Sequence, residues 1–95
     1  MAELKMNPDI MVATPGRLID FYNMGILNFS NIEAVCLDEA DYLLEMGFSD
    51  DIEFILERVF TSTEVKPQTL LFSATIPNWV KKIASKYMNE SWKLI

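Results

Sequence analysis

Three carboxylates stand close together in the middle of this 95-residue chain. Asp38, Glu39 and Asp41 directly follow residues 34–37, an apolar segment of the kind that forms a buried strand. Like charges this close repel one another unless a cation or a proton compensates them. The cluster is therefore either a solvated turn or a binding site for something positive, and Mg²⁺ is a cation that such oxygen ligands suit.

Two further apolar segments also end in polar residues, Thr-Pro-Gly-Arg at 14–17 and Ser-Ala-Thr at 73–75. In open α/β sheets, ligands bind beyond the carboxyl ends of the strands. Helix capping would explain one polar end, but three at the same edge of a sheet indicate a site. At a site for Mg²⁺ and phosphate, a second carboxylate can deprotonate the water that attacks a phosphoanhydride.

The segments that would position these residues alternate between strand and helix. A short β-rich run predicts a strand over 9–14, an unbroken apolar run predicts a strand buried on both faces over 33–37, and a third buried strand is predicted over 69–75. Apolar residues at helical spacing predict helices over 17–24, 48–60 and 76–88. Three successive strand–helix units predict an α/β fold with three parallel β-strands and covering helices.

Composition excludes several classes of protein. The chain is 51% hydrophobic, which suits a single domain with a modest core, and no apolar stretch is long enough to span a membrane. With no histidine and one cysteine, an internal disulfide, a Cys/His zinc site and a histidine-based triad are excluded. Cys36 is expected to be a buried small hydrophobe, and Trp79 is expected to pack in the core.

The net charge of −6 argues against nucleic-acid binding through the overall field of the protein, so any such contact would be local. Four of the eight basic residues lie in the last fifteen positions, and we interpret them as a solvated helix face. They are Lys81, Lys82, Lys86 and Lys93.

The three polar motifs together resemble those of the DEAD-box ATP-dependent RNA helicases. The letters TPGR at 14–17, DEAD at 38–41 and SAT at 73–75 occur in that family's order and at roughly its spacing, and the resemblance covers residues 8–95. It implies a partial RecA-like (P-loop NTPase) domain, with residues 1–95 forming the C-terminal half of the first RecA-like helicase domain. It also implies an intracellular protein that uses ATP and Mg²⁺ and binds RNA.

A subgroup is suggested by residues 67–88, which are similar to the nucleolar Gu helicases. That similarity implies a nuclear or nucleolar location. Ala40 departs from the subgroup, which often carries valine at the third position of the DEAD motif.

The resemblance also assigns roles to the motif residues. Asp38 would hold the Mg²⁺ of bound ATP, through water, and Glu39 would orient and activate the hydrolytic water. The RNA sugar–phosphate backbone would be contacted without sequence specificity, and a helix N-terminus followed by an arginine suits that contact physically. The residues concerned are Thr14, Pro15, Gly16 and Arg17.

A further set of residues would couple the nucleotide state to strand separation. Asp41 would bond toward the segment made of Ser73, Ala74 and Thr75. This link would connect the end of one strand to the end of its neighbour.

No phosphate-binding loop of the form G-x-x-x-x-G-K-[ST] occurs in the sequence, which has only three glycines. ATP would therefore have only the metal end of its site here. The family's second RecA-like domain, with its arginine fingers, is not in the sequence either. The expectation is a piece of an ATP-hydrolysing helicase that is inactive by itself.

An alternative of a different class is a non-catalytic module that binds RNA or a protein through an open sheet edge. The strand over 69–72 would lack one neighbour, which leaves unpaired backbone groups beside an apolar run. We therefore expect the chain to self-associate.

Overall fold

The computed structural model describes residues 9–88, which form two strands and four helices. In chain order the elements are α1 (Pro15–Asn23), β1 (Ala34–Leu37), α2 (Ala40–Glu45), α3 (Ser49–Ser62), β2 (Gln68–Leu71) and α4 (Asn78–Tyr87). The three predicted helices are confirmed as α1, α3 and α4. The short helix α2 was not predicted. None of the described helices has the length and apolar character needed to cross a membrane.

The sheet consists of β1 and β2, which pair in parallel with Leu37 opposite Leu71. Its backbone ladder continues past the ends of both strands. The Phe72 N–H donates to the Leu37 carbonyl at 2.8 Å, and the Ala40 N–H donates to the Phe72 carbonyl at 3.0 Å. The two polar segments that follow the strands are consequently held side by side.

The core lies on one face of this sheet, where α3 and α4 pack against it. Leu56 of α3 and Ile83 of α4 are both 0% exposed. The buried cluster around them consists of Leu37, Ile52, Leu56, Ile83 and Tyr87. A second cluster attaches α1 and its following loop to α3, and it consists of Phe29, Ile55 and Val59.

The strand predicted over 9–14 is wrong, because these residues form neither a strand nor a helix. Ile10 is 84% exposed and Val12 is 94% exposed. An apolar, β-prone run becomes a strand only when a neighbour accepts its hydrogen bonds. Among the described residues, β1 has β2 as its single partner.

The prediction that the strand over 33–37 is buried on both faces is also wrong. Along β1 and β2 the burial alternates, so that Cys36 and Leu70 are exposed while Leu37 and Thr69 are buried. Cys36 is therefore not a buried hydrophobe, because it points to a face that no described helix covers. Trp79 does pack against the core cluster as predicted, although it is only partly buried.

Candidate functional site

The turn between β1 and α2 carries the first two carboxylates, and both Asp38 and Glu39 are exposed. Glu39 has φ 54° and ψ 50°, a left-handed conformation that costs a non-glycine residue about 1–2 kcal/mol. The peptide after Glu39 is held from both sides. Its carbonyl accepts from the Leu43 N–H at 3.0 Å, and the Ala40 N–H donates to the Phe72 carbonyl. A fixed turn thus presents both carboxylates at the carboxyl end of β1.

Asp41 joins this turn to the segment that follows β2. Its Oδ2 accepts the Thr75 hydroxyl at 3.0 Å and the Thr75 N–H at 3.1 Å. Its Oδ1 accepts the Tyr42 N–H at 3.0 Å. The Thr75 hydroxyl is the main cause that holds the pKa of Asp41 below its ordinary value of 3.8. Asp41 is therefore a fixed acceptor in its ionised form.

Ser73 makes a second connection, through the backbone of Asp41. The Ser73 Oγ accepts the Asp41 N–H at 3.1 Å and donates to the Thr75 carbonyl at 2.6 Å. Ala74, between the two hydroxyl residues, is exposed. The expected contact of Asp41 with Ser73 and Thr75 is thus present in the structure, while its role in coupling stays a prediction.

The third motif lies at the start of α1. Thr14 is extended and its hydroxyl makes no capping bond, but its carbonyl accepts the Leu18 N–H at 3.0 Å. Pro15 occupies the first helical position and is buried. A Cβ at Gly16 would meet no atom within 4 Å, so packing within the described residues does not require a glycine there.

Arg17 is exposed, and its guanidinium lies 5.0 Å from the centroid of the Phe21 ring. Both residues line an open groove of about 440 Å³ on α1. Asp20, Asn23 and Met24 line the rest of it. No hydrogen bond described for residues 9–88 joins this motif to the other two. Sequence reasoning did not single out Phe21, although its spacing of four residues from Arg17 on a helix is a usable signal.

The donor atoms at the end of β1 fit Mg²⁺, which prefers carboxylate and water oxygens. Within residues 9–88, no three side chains of the His, Cys, Asp or Glu type form a metal-holding group. Asp38 is the residue here that would hold such an ion, and Mg²⁺ bound through one or two carboxylates usually keeps several waters.

A family model for the DEAD/DEAH box helicases matches residues 1–83. The chain belongs to this family. It is 44% identical over 89 residues to the mitochondrial DEAD-box ATP-dependent RNA helicase 9 of Arabidopsis thaliana, covering 94% of this chain and 14% of that protein. It is 51% identical over 87 residues to the DEAD-box ATP-dependent RNA helicase CshA of Bacillus subtilis, covering 92% of this chain and 17% of that protein.

The solved structure of the yeast DEAD-box splicing factor Prp28 superposes with a TM-score of 0.82 at 43% identity. The match covers 85% of this DEAD-box chain and 18% of the yeast chain. The partial RecA-like α/β fold with a parallel sheet is thereby confirmed. The chain spans less than a fifth of each of these three proteins. One relative is named as mitochondrial and another is bacterial, so these relatives lend no support to a nuclear location.

Proposed function

We propose that this DEAD-box chain is the second half of the first RecA-like domain of a longer helicase, which couples hydrolysis of Mg²⁺-ATP to the unwinding or remodelling of RNA. The family membership supports the general activity. The observation that carries the proposal is the pair of hydrogen bonds from Thr75 to the Asp41 carboxylate. These bonds connect the end of β1, which carries the proposed metal ligand, with the end of β2, which carries the proposed coupling residues.

In this proposal Asp38 and Glu39 divide the work at the nucleotide. Asp38 binds the Mg²⁺ of ATP through water, and the ion supplies positive charge beside the phosphates. Glu39 orients the attacking water and accepts its proton on a carboxylate oxygen. The exposure of both side chains and the hydrogen-bonded turn beneath Glu39 support this division.

Asp41, Ser73, Ala74 and Thr75 then form the coupling segment. Asp41 is bonded through its carboxylate to Thr75 and through its backbone to Ser73. A shift of the DEAD turn when the nucleotide changes would therefore move the segment after β2 as well. This arrangement supports a role in transmitting the nucleotide state, rather than in the hydrolytic step.

RNA would be bound at the start of α1, through contacts of Thr14, Pro15, Gly16 and Arg17 with the sugar–phosphate backbone. The amino-terminal end of a helix is a favourable position for phosphate, and α1 begins at Pro15. A glycine that the packing does not require leaves room for close approach of a backbone. Contacts of this type carry no sequence information.

The test uses two substitutions in the full-length protein that carries this chain. Glu39→Gln should lower ATP turnover by about 10²- to 10⁴-fold and leave the nucleotide dissociation constant nearly unchanged, because it removes the base and keeps the metal ligand. Asp38→Asn should weaken the binding of Mg²⁺-nucleotide itself. If both raise the nucleotide dissociation constant equally, the proposed division of roles is wrong.

The 95-residue chain by itself should have no ATPase activity, with or without RNA, because the phosphate loop and the arginine fingers are not in its sequence. Phosphate release by the purified chain that requires Mg²⁺, increases with RNA and scales with protein concentration would contradict this. Its compartment, including a nuclear or nucleolar location, stays a prediction from the resemblance.

A second candidate function is a non-catalytic interaction module. It is favoured by the face of the sheet that no described helix covers, where Leu70 is 42% exposed and Phe72 is 56% exposed. Exposed apolar strands with open edges tend to pair with other chains. The chain alone is then expected to self-associate, and light scattering coupled to size exclusion measures this. A monodisperse monomer at micromolar concentration would exclude self-association.

A further inference from the structure

Arg17 and Phe21 form a pair on the outer surface of α1. They are four residues apart on the helix, so their side chains share one face. The Arg17 guanidinium carbon lies 5.0 Å from the ring centroid of Phe21, which is within the range of a cation–π contact. Arg17 is exposed, whereas Phe21 is only partly exposed. The ring is thus the better-fixed member of the pair.

The charge of Arg17 is not neutralised by this contact. Asp20 lines the same groove, yet within residues 9–88 no carboxylate forms an ion pair with the guanidinium. An aromatic ring orients a guanidinium and leaves its N–H donors available. Arg17 is therefore held in place but remains able to bind an anion.

We propose that Phe21 is a positioning residue for RNA binding, which acts by holding the Arg17 guanidinium beside the start of α1. The inference rests on the proposed role of Arg17 as a contact for the RNA backbone. A free arginine side chain loses rotamer freedom when it binds a phosphate, and this loss reduces affinity. The Phe21 ring restricts the side chain before RNA arrives, so less freedom is lost on binding.

Another arginine–phenylalanine pair in the chain provides a matched control. The Arg58 guanidinium lies 3.3 Å from the centroid of the Phe54 ring and also donates to the Phe54 carbonyl at 3.3 Å. This pair lies on α3. The Arg58 guanidinium carbon also lies 5.9 Å from the centroid of the Tyr22 ring on α1. Phe54→Leu leaves residues 14–17 unaltered but removes part of the packing between α1 and α3, so it should lower stability without changing RNA affinity.

The experiment is a double-mutant cycle in the full-length helicase that contains this chain. Binding of a labelled oligouridylate is measured by fluorescence anisotropy over a range of salt concentrations, with Mg²⁺ and a non-hydrolysable ATP analogue present. Arg17→Gln should weaken binding and reduce the salt slope by about one unit. Phe21→Leu should raise the RNA dissociation constant by about two- to five-fold, the range expected for losing an exposed cation–π contact.

Two further results are required of the cycle. Phe21→Leu should have almost no additional effect in the Arg17→Gln background, because the ring acts only through the guanidinium. Phe21→Tyr keeps an aromatic ring, so this variant should bind RNA with the affinity of the unaltered protein. It is the control for whether position 21 tolerates substitution. The dissociation constant for nucleotide should stay the same in all of these variants.

The outcomes separate this inference from the proposed function. If Arg17→Gln weakens RNA binding but Phe21→Leu does not, or if Phe21→Leu has an equal effect in both backgrounds, the positioning role is overturned and the RNA contact of Arg17 stands. If Arg17→Gln leaves RNA affinity unchanged, both are overturned. An effect of Phe54→Leu as large as that of Phe21→Leu would show a general structural effect and would also overturn the positioning role.

Discussion

The carboxyl end of the sheet and the start of α1 carry two parts of the same proposed site, yet the chain supports them in different ways. At the sheet end, Asp41 and Ser73 connect the DEAD turn to the segment after β2 through hydrogen bonds to both side chain and backbone. At the start of α1, residues 9–13 are exposed and lie in no strand. Hydrogen bonds between described residues thus hold the first part together, whereas no strand pairing among residues 9–88 supports the second.

Strand pairing explains the difference. β1 and β2 are partners, so the turns that follow them inherit a common position from the backbone ladder. α1 is attached to α3 instead, through the cluster that contains Phe29 and Ile55. A site built on paired strands is therefore positioned locally, whereas a site before a helix needs a strand partner that residues 9–88 do not supply.

The largest effect should follow from damage to the core beneath the paired strands. Ile83 is 0% exposed, and Ile83→Ala should lower the free energy of unfolding by about 2–5 kcal/mol. Urea denaturation of the 95-residue chain, followed by circular dichroism, measures it. Lys82→Ala, at the exposed neighbouring position, is the control and should change stability by less than about 0.5 kcal/mol. Similar losses of unfolding free energy in both variants would contradict the placement of Ile83 in the core.

A smaller loss is expected when the DEAD turn is overpacked. Ala40 is 0% exposed, so Ala40→Val should cost about 1–3 kcal/mol by forcing extra methyl groups into a fully buried position. Ala13→Val makes the same change at an exposed position in the other region and should be close to neutral. The same urea titration compares them. An equal response would mean that the two regions are packed alike.

Acid should weaken the sheet end through Asp41. Because hydrogen bonds, chiefly from Thr75, lower its pKa below the ordinary 3.8, Asp41 stabilises the fold above that pH and loses its contribution as pH falls toward the lower folded value. Asp41→Asn and Thr75→Val should both flatten the fall of stability below about pH 4. Thermal unfolding between neutral and acidic pH measures the slope. Unchanged slopes in both variants would show that the carboxylate is not bound as described.

The smallest effect should come from the segment before α1. Val12 is 94% exposed, so Val12→Ser should change the free energy of unfolding by less than about 0.5 kcal/mol. Chemical denaturation of the chain measures this value. A loss of 1 kcal/mol or more would mean that residues 9–14 form a buried strand after all.

Much of this architecture can be predicted from the sequence, because the spacing of apolar residues along the chain differs between helices and strands. The spacing of Ile52, Ile55 and Leu56 predicts α3 correctly, and the motif order correctly indicates the family. The contact between Asp41 and Thr75 is expected from the family resemblance, and the structure shows it between the ends of two paired strands. These features depend on residues that are close in the sequence or on strands that do pair.

Features that depend on missing or distant partners could not be predicted in the same way. Cys36 lies in an apolar run that looks buried on both faces, but burial of its face requires a helix that residues 9–88 do not provide. Residues 9–14 have the composition of a strand, but no neighbour among the described residues pairs with them. The left-handed backbone of Glu39 has no composition signal, since glycine or asparagine would be the usual residue there.

Amide hydrogen exchange on the 95-residue chain tests the contrast between the two regions most directly. The structure gives hydrogen-bonded N–H groups to Ala40, Asp41 and Thr75, with acceptors across the two strand ends. We predict that these three amides exchange much more slowly than the amides of residues 10–13. Protection of 10–13 equal to that of Asp41 and Thr75, or the absence of protection at both sites, would contradict the account.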